Sequence, residues 1–227
     1  MTQQYTLRVK NGNPHATGQM FGIFTLPVLD SGPQDPFAVA WIAQQIEPTH
    51  EYSWNWDLTW ALTFAQTGFE SGVAFTGEGS QAVDPDDDKK CRWVFDTAPP
   101  PPGENAPDYE FAAQQGQHDK KTIWVSDTGN VLYDPAVSVG IGLSLNSADP
   151  TPVIAAQAGP HLSQTFTLTP TYYVKAGNYK QGAMASVADV TTEAAVVDFE
   201  KLGCYDATVT LNPDNTWTVE CTQDIIT

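Results

Sequence analysis

Large apolar side chains alternate with small or polar ones from position 52 to position 64. Side chains of a β-strand point alternately to its two faces, so this pattern predicts one long strand with an aromatic face. Such a strand would exceed the usual length of about 5 to 6 residues. The residues predicted on this face are Tyr52, Trp54, Trp56, Leu58, Trp60, Leu62 and Phe64. Burial of this face would remove enough apolar surface from water to organise the core of a whole domain.

Two functional interpretations compete with a core role for this strand. The segment 69–75 also alternates, so residues 52–75 form a candidate β-hairpin for membrane insertion, as in pore-forming proteins. Alternatively, exposed rings of the stripe would stack on the apolar faces of sugars. We expect most of the face to be core. The opposite face carries Asn55, Asp57 and Thr59, which we expect to face solvent and to form a candidate ligand-binding site.

Alternating segments recur along the rest of the chain, with turn residues about every 10 to 15 positions. This spacing predicts an all-β fold, organised as a single, mostly antiparallel β-sandwich or flattened barrel over residues 1–227. We expect long irregular loops and at most one short helix. The range 77–107 contains four consecutive prolines, which favour an extended conformation without sheet pairing. It is therefore predicted to be a Pro-rich surface excursion.

One segment, residues 35–48, fits a helix and a strand equally well. Asp35 followed by Pro36 suits the start of a helix. Yet Phe37, Val39 and Trp41 alternate as they would in a buried strand. Both interpretations stay open at the level of sequence.

The chain closes with a predicted hairpin around Asn-Pro-Asp-Asn. The apolar faces of its two strands match in one register, which pairs Leu211 with Trp217, Val209 with Val219 and Ala207 with Cys221. In that register Cys204 would point to the face opposite Cys221. The pattern therefore predicts no disulfide within the hairpin and free thiols, as in a reducing compartment.

Composition narrows the range of partners. Ten Lys and Arg against 27 Asp and Glu give a formal net charge of −17, which repels phosphate backbones and anionic lipid surfaces. Nucleic acid is excluded as a partner on this ground, and a membrane is disfavoured. No apolar run approaches the roughly 18 residues of a membrane helix, and the first residues carry no classical secretion signal. We expect a globular cytoplasmic protein.

Two other segments carry candidate binding residues. An acidic run supplies carboxylates that suit Ca²⁺, although it lacks the glycine and the distal glutamate of an EF-hand; its candidate ligands are Asp84, Asp86 and Asp88. No other cofactor is indicated. A second segment is rich in tyrosine, which gives a large contact area at low entropic cost; its candidate contact residues are Tyr172, Tyr173 and Tyr179.

A third segment alternates aliphatic residues with small ones. Its nearly bare face consists of Ser138, Gly140, Gly142 and Ser144. A glycine within a strand marks the close approach of another group, and we expect an aromatic side chain to cover these glycines.

The sequence contains no combination of nucleophile, base and orienting group within one motif. Its four histidines are scattered, and Gly-Phe-Glu-Ser-Gly at 68–72 places the serine one position too late for a nucleophile elbow. Our leading hypothesis is a non-catalytic, lectin-like β-sandwich that binds a ligand, with carbohydrate as a candidate, or assembles with copies of itself as a homo-oligomer. A pore-forming protein is the alternative. A hydrolase with dispersed carboxylates is the third candidate.

Overall fold

The chain folds as a set of β-sheets in a computed structural model that describes residues 3–31, 35–100, 102, 108–116, 120–132, 137–146 and 148–221. The first strands are β1 Gln4–Asn11, β2 Met20–Thr25, β3 Val28–Ser31, β4 Phe37–Val39, β5 Ile42–Gln45, β6 Glu51–Asp57, β7 Trp60–Ala65, β8 Gly79–Ala82, β9 Arg92–Ala98 and β10 Asp108–Ala113. The later elements are β11 Thr122–Asp127, β12 Ser138–Leu143, β13 Thr151–Gln157, β14 Ser163–Thr167, β15 Thr171–Gly177, β16 Met184–Ser186, α1 Val187–Thr191, β17 Ala195–Asp198, α2 Phe199–Leu202, β18 Asp206–Leu211 and β19 Trp217–Cys221.

The strands of the described residues form four sheets in a sandwich-like arrangement. Sheet 1 has the order β19-β18-β1-β6, and sheet 2 has the order β10-β9-β11-β14-β3. Sheet 3 has the order β16-β4-β13-β12-β7-β8, and sheet 4 has the order β17-β15-β2-β5. Within the described residues, parallel pairing occurs at β1–β18 and β9–β11. The predicted all-β, mostly antiparallel class is therefore confirmed.

The described part of the chain contains two short helices, where the sequence predicted at most one. α1 begins at Ser186, whose side chain accepts a hydrogen bond from the amide of Asp189 at 3.1 Å. α2 begins at Asp198, which accepts from the amide of Lys201, and ends at Gly203 with φ 67°. Both starts are typical N-caps, and the end uses the left-handed conformation that glycine tolerates. Neither of these helices is long and apolar enough to cross a membrane.

An aromatic cluster occupies the centre of the main core. Trp41, Trp56, Tyr172 and Phe199 are all buried, with ring centroids 4.9–6.1 Å apart. The indole N–H of Trp56 donates to the Tyr172 hydroxyl at 2.7 Å, and that of Trp41 donates to the carbonyl of Leu143 at 3.1 Å. These contacts join sheets 1, 3 and 4, because they connect β6, β12 and β15.

The predicted long strand is broken into β6 and β7, which belong to different sheets. The chain bends at Leu58, and the amide of Thr59 donates to the carbonyl of Asp57 at 2.8 Å. The alternation nevertheless continues across the break, so that Trp56 and Trp60 both face the core. Tyr52 differs, since it is 45% exposed at the start of β6. A core role is thus correct for most of the aromatic face, and one continuous strand is wrong.

The hairpin proposed for membrane insertion is not formed. Residues 69–75 contribute only an isolated bridge between Ala74 and Ala183, whereas β7 pairs with β8 and β12. Phe75 packs with Met184 and Ala155 in a small separate core cluster. The prediction that 52–75 is a two-stranded hairpin is therefore wrong.

The ambiguous segment 35–48 consists of strands. β4 pairs with β13 and β16, and β5 pairs with β2. This cross-strand pairing outweighs the helix-start signal of Asp35 and Pro36, as tertiary context commonly does.

The range 77–107 contains two strands as well as exposed residues outside the sheets. β8 and β9 lie within it, and Trp93 and Phe95 of β9 are buried in the main core. Pro99 and Pro100 follow β9 and are exposed. Residues 101 and 103–107 lie outside the described residues.

The glycines of β12 are covered by a neighbouring backbone and by aliphatic side chains, and not by an aromatic ring. A Cβ atom on Gly140 would lie 1.9 Å from the carbonyl oxygen of Ile154 on β13. At Gly142 it would meet the side chains of Thr63 and Pro150 at 2.9 Å and 3.1 Å. The ladder with β13 is irregular between Ile141 and Gly142, so the missing side chains let two strands approach closely. The expected aromatic cover is wrong.

The closing hairpin has the predicted register, yet its cysteines form a disulfide. β18 and β19 pair Leu211 with Trp217 and Ala207 with Cys221. Cys204 is joined to Cys221, with their Cα atoms 6.2 Å apart. The prediction failed because Cys204 precedes β18, so strand alternation does not set its direction. Cys91 is the buried free thiol. The disulfide removes the support that free thiols gave to a cytoplasmic location, which stays a prediction.

The aromatic centre yields a stability prediction. Tyr172→Phe should lower the free energy of unfolding by about 1–3 kcal/mol, because the buried Trp56 N–H loses its acceptor. Tyr52→Phe is the matched control, and it should change stability by less than about 0.5 kcal/mol because this side chain is largely exposed. Urea unfolding followed by circular dichroism measures both. Equal effects at the two positions would contradict a structural role for the Trp56–Tyr172 hydrogen bond.

The disulfide yields a second stability prediction. The double variant Cys204→Ser, Cys221→Ser should lose about 3 kcal/mol, the value expected for a closed loop of this size, 17 residues in separation. Cys91→Ser removes only the free thiol, so it should lose stability on reduction as wild type does, whereas the double variant should not respond to reductant. Urea unfolding with and without dithiothreitol distinguishes the two. Unchanged stability of wild type on reduction would show that the bridge adds nothing.

Candidate functional site

β6 and the bend that follows it place the three predicted ligand-binding residues Asn55, Asp57 and Thr59 in two environments. Asn55 is exposed and accepts a hydrogen bond from the hydroxyl of Thr6 at 2.8 Å. Asp57 and Thr59 instead line a small polar pocket of about 230 Å³. The described residues that line it are Gln4, Trp56, Asp57, Thr59, Ser144 and Asn146. The structure thus brings two of the three predicted residues together and leaves Asn55 outside.

The three tyrosines do not form one surface. Tyr172 is fully buried with its hydroxyl bonded to Trp56, and this burial raises its pKa. Tyr173, its neighbour on β15, packs against a different cluster on the opposite face. Tyr179 covers Gly22 and Gly177, where an added Cβ atom would lie within 2.7 Å of its ring. Tyr179 is therefore a packing residue over two glycines.

The acidic run at 84–90 is a pair of exposed turns. Asp84 accepts from the amide of Asp86 at 3.0 Å, and Asp87 accepts from the amide of Lys89 at 2.9 Å. Within the described part of the chain, no three His, Cys, Asp or Glu side chains are grouped to hold a metal ion. Calcium binding by Asp84, Asp86 and Asp88 stays a prediction.

A larger cleft, about 480 Å³ in volume, lies beside the last strand. Its apolar surface is provided by the half-buried ring of Trp217 with Leu211 and three alanines, and its polar groups belong to Gln19, Lys175, Glu193 and Asn215. We call it the Trp217 cleft. The sequence placed Trp217 in a hairpin core. Because β19 is the outer strand of sheet 1, no further strand covers this ring, and one of its faces lines the cleft.

The Trp217 ring is held in place from two sides. Its indole N–H donates to the carbonyl of Glu193 at 2.9 Å, and its ring meets Phe21 edge-on, with centroids 6.2 Å apart. Glu193 and Asn215 adopt left-handed backbone conformations, with φ of 57° and 63°. Such conformations are uncommon outside glycine and are often found at binding sites.

The polar groups of the cleft offer both donors and acceptors. The side-chain amide N–H groups of Gln19 donate hydrogen bonds to the carbonyls of Met20 and Gly177. The side-chain oxygen of Gln19 is therefore left as an acceptor. Asn215 accepts from Asn13 at 2.8 Å, which leaves its NH₂ group as a donor. The cleft thus combines a flat aromatic face with oriented hydrogen-bonding groups.

A buried carboxyl group lies away from both cavities. Asp127, at the end of β11, is 5% exposed and accepts from the amide of Gly159 at 2.9 Å and from Gln164 at 3.1 Å. Burial raises its pKa to about 6. Its second oxygen and the side-chain oxygen of Gln164 have no partner, and protonation of Asp127 would supply a donor. Because this group is sealed from solvent, it is a structural residue.

Together, these features define an all-β protein with an aromatic cleft at the edge of one sheet. The model of the RhiA family matches residues 2–222, so the chain belongs to the RhiA family. It is 27% identical over 220 residues to Protein RhiA of Rhizobium leguminosarum bv. viciae, an alignment that covers 95% of this chain and 86% of that protein. No solved structure matches the chain.

Asp127 makes stability depend on pH. Above pH 6 its ionised form is penalised by burial, whereas Asp127→Asn carries no charge at any pH. The variant should therefore be more stable than wild type at pH 8, by about 3 kcal/mol at about 1.4 kcal/mol per pKa unit. This advantage should fall below about 1 kcal/mol towards pH 4, because the folded state is then protonated and the unfolded chain, with a pKa of about 3.9, is about half protonated. Urea unfolding at pH 8, 6 and 4 measures the difference.

Asp96→Asn is the control for this pH dependence. The hydroxyl of Thr128 donates to Asp96 and lowers the pKa of its carboxyl, so ionisation favours the folded state there. This variant should be less stable than wild type at pH 8, and the gap should close on acidification. A wild type more stable than Asp127→Asn at pH 8 would contradict an uncompensated buried charge.

Proposed function

We propose that this chain is a non-catalytic binding protein whose ligand is a carbohydrate held in the Trp217 cleft. The observation that carries the proposal is the half-buried Trp217 ring, fixed at the floor of a concave site with hydrogen-bonding groups around it. An aromatic face packs against the apolar face of a sugar ring by dispersion and CH–π contact. Polar groups around such a ring then select hydroxyl positions.

The hydrogen-bonding groups of the cleft suit hydroxyl groups. A sugar hydroxyl both donates and accepts, and the cleft supplies the acceptor oxygen of Gln19, the carboxylate of Glu193 and the donor NH₂ of Asn215. Lys175 also lines the cleft, with its ammonium group donating to the carbonyl of Asp189. Fixed donors and acceptors lower the entropic cost of binding, since they do not have to be ordered by the ligand.

The charge of the protein favours a neutral sugar. The net charge of −17 repels strongly anionic ligands over the range of a Debye length. Lys175 and Glu193 carry opposite charges within the cleft, so these two side chains add no net positive charge to the site. We therefore infer a neutral glycan as the first class to test.

The number of carboxylates in the cleft favours binding over hydrolysis. Most glycoside hydrolases place two carboxyl groups on either side of the scissile bond, about 5 to 10 Å apart. Among the described residues that line the Trp217 cleft, Glu193 is the single one with a carboxyl group. A lectin-like role needs no second carboxylate, so the hydrolase hypothesis has less support at this site.

Glycan binding is tested on an array of neutral and acidic oligosaccharides, followed by fluorescence titration with the best-bound glycan. Wild type should bind neutral glycans, and Trp217→Ala should weaken affinity by at least about tenfold, the loss expected for one stacked ring with its contacts. Trp217→Phe keeps a flat aromatic face and should retain most of the affinity.

Trp124→Ala is the matched control, because Trp124 is also half-buried but lies under the guanidinium group of Arg92, outside the cleft lining. It should bind as wild type does. Thermal unfolding of each variant verifies the fold. An array without any bound glycan, or full affinity in a folded Trp217→Ala, would overturn the proposal.

A further inference from the structure

The small pocket that contains Asp57 lies at the other end of β1 from the Trp217 cleft. Gln4 begins β1 and is paired with Asp57 at the end of β6. Asn11 ends β1 and is paired with Leu211, which in turn is paired with Trp217. The two cavities share no lining residue, so the pocket is a separate site and does not depend on the proposed carbohydrate function.

Three chain segments converge at this pocket. The first is the start of β1 at Gln4, and the second is the bend between β6 and β7 with Asp57 and Thr59. The third follows β12 and contains Ser144 and Asn146. The amide of Ser144 donates to the carbonyl of Thr59 at 3.1 Å, which fixes the second segment against the third. The pocket therefore lies where the chain passes from sheet 1 to sheet 3.

The polar side chains of the pocket have unused hydrogen-bonding capacity. Within the described ranges, none of its five polar side chains makes a hydrogen bond or ion pair with the protein. They are Gln4, Asp57, Thr59, Ser144 and Asn146. Ser144 is only 7% exposed, although buried polar groups normally find partners. Asn146 has φ 53°, a left-handed conformation of the kind that accumulates at ligand sites.

The chemistry of these side chains selects a hard cation. They present one carboxylate and two amide carbonyls, which are oxygen ligands that Ca²⁺ accepts in flexible geometry, together with two hydroxyls. Within the described residues, no basic side chain lines the pocket, so Asp57 would repel an anion there. A sugar is also disfavoured, because the one aromatic residue in the lining, Trp56, is 1% exposed and offers no stacking face.

We propose that Asp57, with Gln4, Thr59, Ser144 and Asn146, forms a calcium site that fastens the bend between β6 and β7. One carboxylate with neutral oxygen ligands gives weak binding, with a dissociation constant of about 10⁻⁴–10⁻³ M, as in other low-affinity modules. Mg²⁺ binds more weakly, because it demands octahedral geometry and keeps its water. The bound ion stabilises the folded chain by mass action.

Calcium binding is measured on the full chain by two readouts. Titration with CaCl₂ after EDTA treatment should raise the unfolding temperature at millimolar concentration, with a smaller effect of MgCl₂. TbCl₃ should show luminescence on excitation of tryptophan, since Trp56 lines the pocket, and CaCl₂ should quench that signal competitively. Asp57→Asn preserves the side-chain shape and should lose at least about tenfold in affinity, because it removes the only charged ligand. Asn146→Ala should weaken binding as well.

The triple variant Asp84→Asn, Asp86→Asn, Asp88→Asn is the control, since it removes the same kind of charge from the acidic turns. It should bind Ca²⁺ as wild type does. The proposal would be overturned if wild type did not respond to CaCl₂ up to about 10 mM, a concentration above the expected dissociation constant. It would also be overturned if Asp57→Asn, shown to be folded by its normal unfolding in EDTA, bound Ca²⁺ as tightly as wild type. A third contradicting result would be loss of Ca²⁺ binding in the triple variant. The last result would place the ion in the acidic turns.

Discussion

The hydrogen bond from the Trp56 indole to the Tyr172 hydroxyl is the interaction on which the packing of the sheets depends. Trp56 belongs to sheet 1 and Tyr172 to sheet 4, and both rings pack against Trp41 and Phe199. Trp41 in turn bonds to the backbone of β12 in sheet 3. Aromatic rings bury a large area while their polar atoms still need partners. Each of these tryptophan N–H groups has one, so the core gains apolar area without an unsatisfied indole.

Sequence periodicity predicted the class of the fold and the faces of its strands, because burial acts on each residue locally. Trp56 and Trp60 face the core as the alternation indicates, and the register of β18 with β19 follows from matching apolar faces. Periodicity could not predict the break at Leu58. Alternation persists when a chain bends between two sheets that share one core, so the pattern of a broken strand equals that of a continuous one.

The sequence pattern could not predict features that depend on contacts between residues far apart in the sequence. Cys204 lies between α2 and β18, where no strand alternation defines its direction, and its disulfide depends on how that turn is placed. Gly140 of β12 is covered by the backbone of β13 and Gly142 by the side chains of Thr63 and Pro150, which a single sequence cannot distinguish from cover by an aromatic ring. The ring that does cover glycines is Tyr179, whose partners Gly22 and Gly177 are far apart in sequence.

The same reasoning explains why the candidate sites were only partly predicted. Asp57 and Thr59 were found because a polar residue in mid-strand is costly unless it faces water or a ligand, and the pocket forms where that strand ends. Trp217 was missed because its pattern is that of a core residue. Its exposure follows from the position of β19 at the outside of sheet 1. An apolar residue on an edge strand retains one uncovered side, and when its N–H is already satisfied, as here by Glu193, the ring needs no polar contact with a ligand. In the proposed carbohydrate site, stacking is then the contact left to this ring, and hydrogen bonds come from the residues around it.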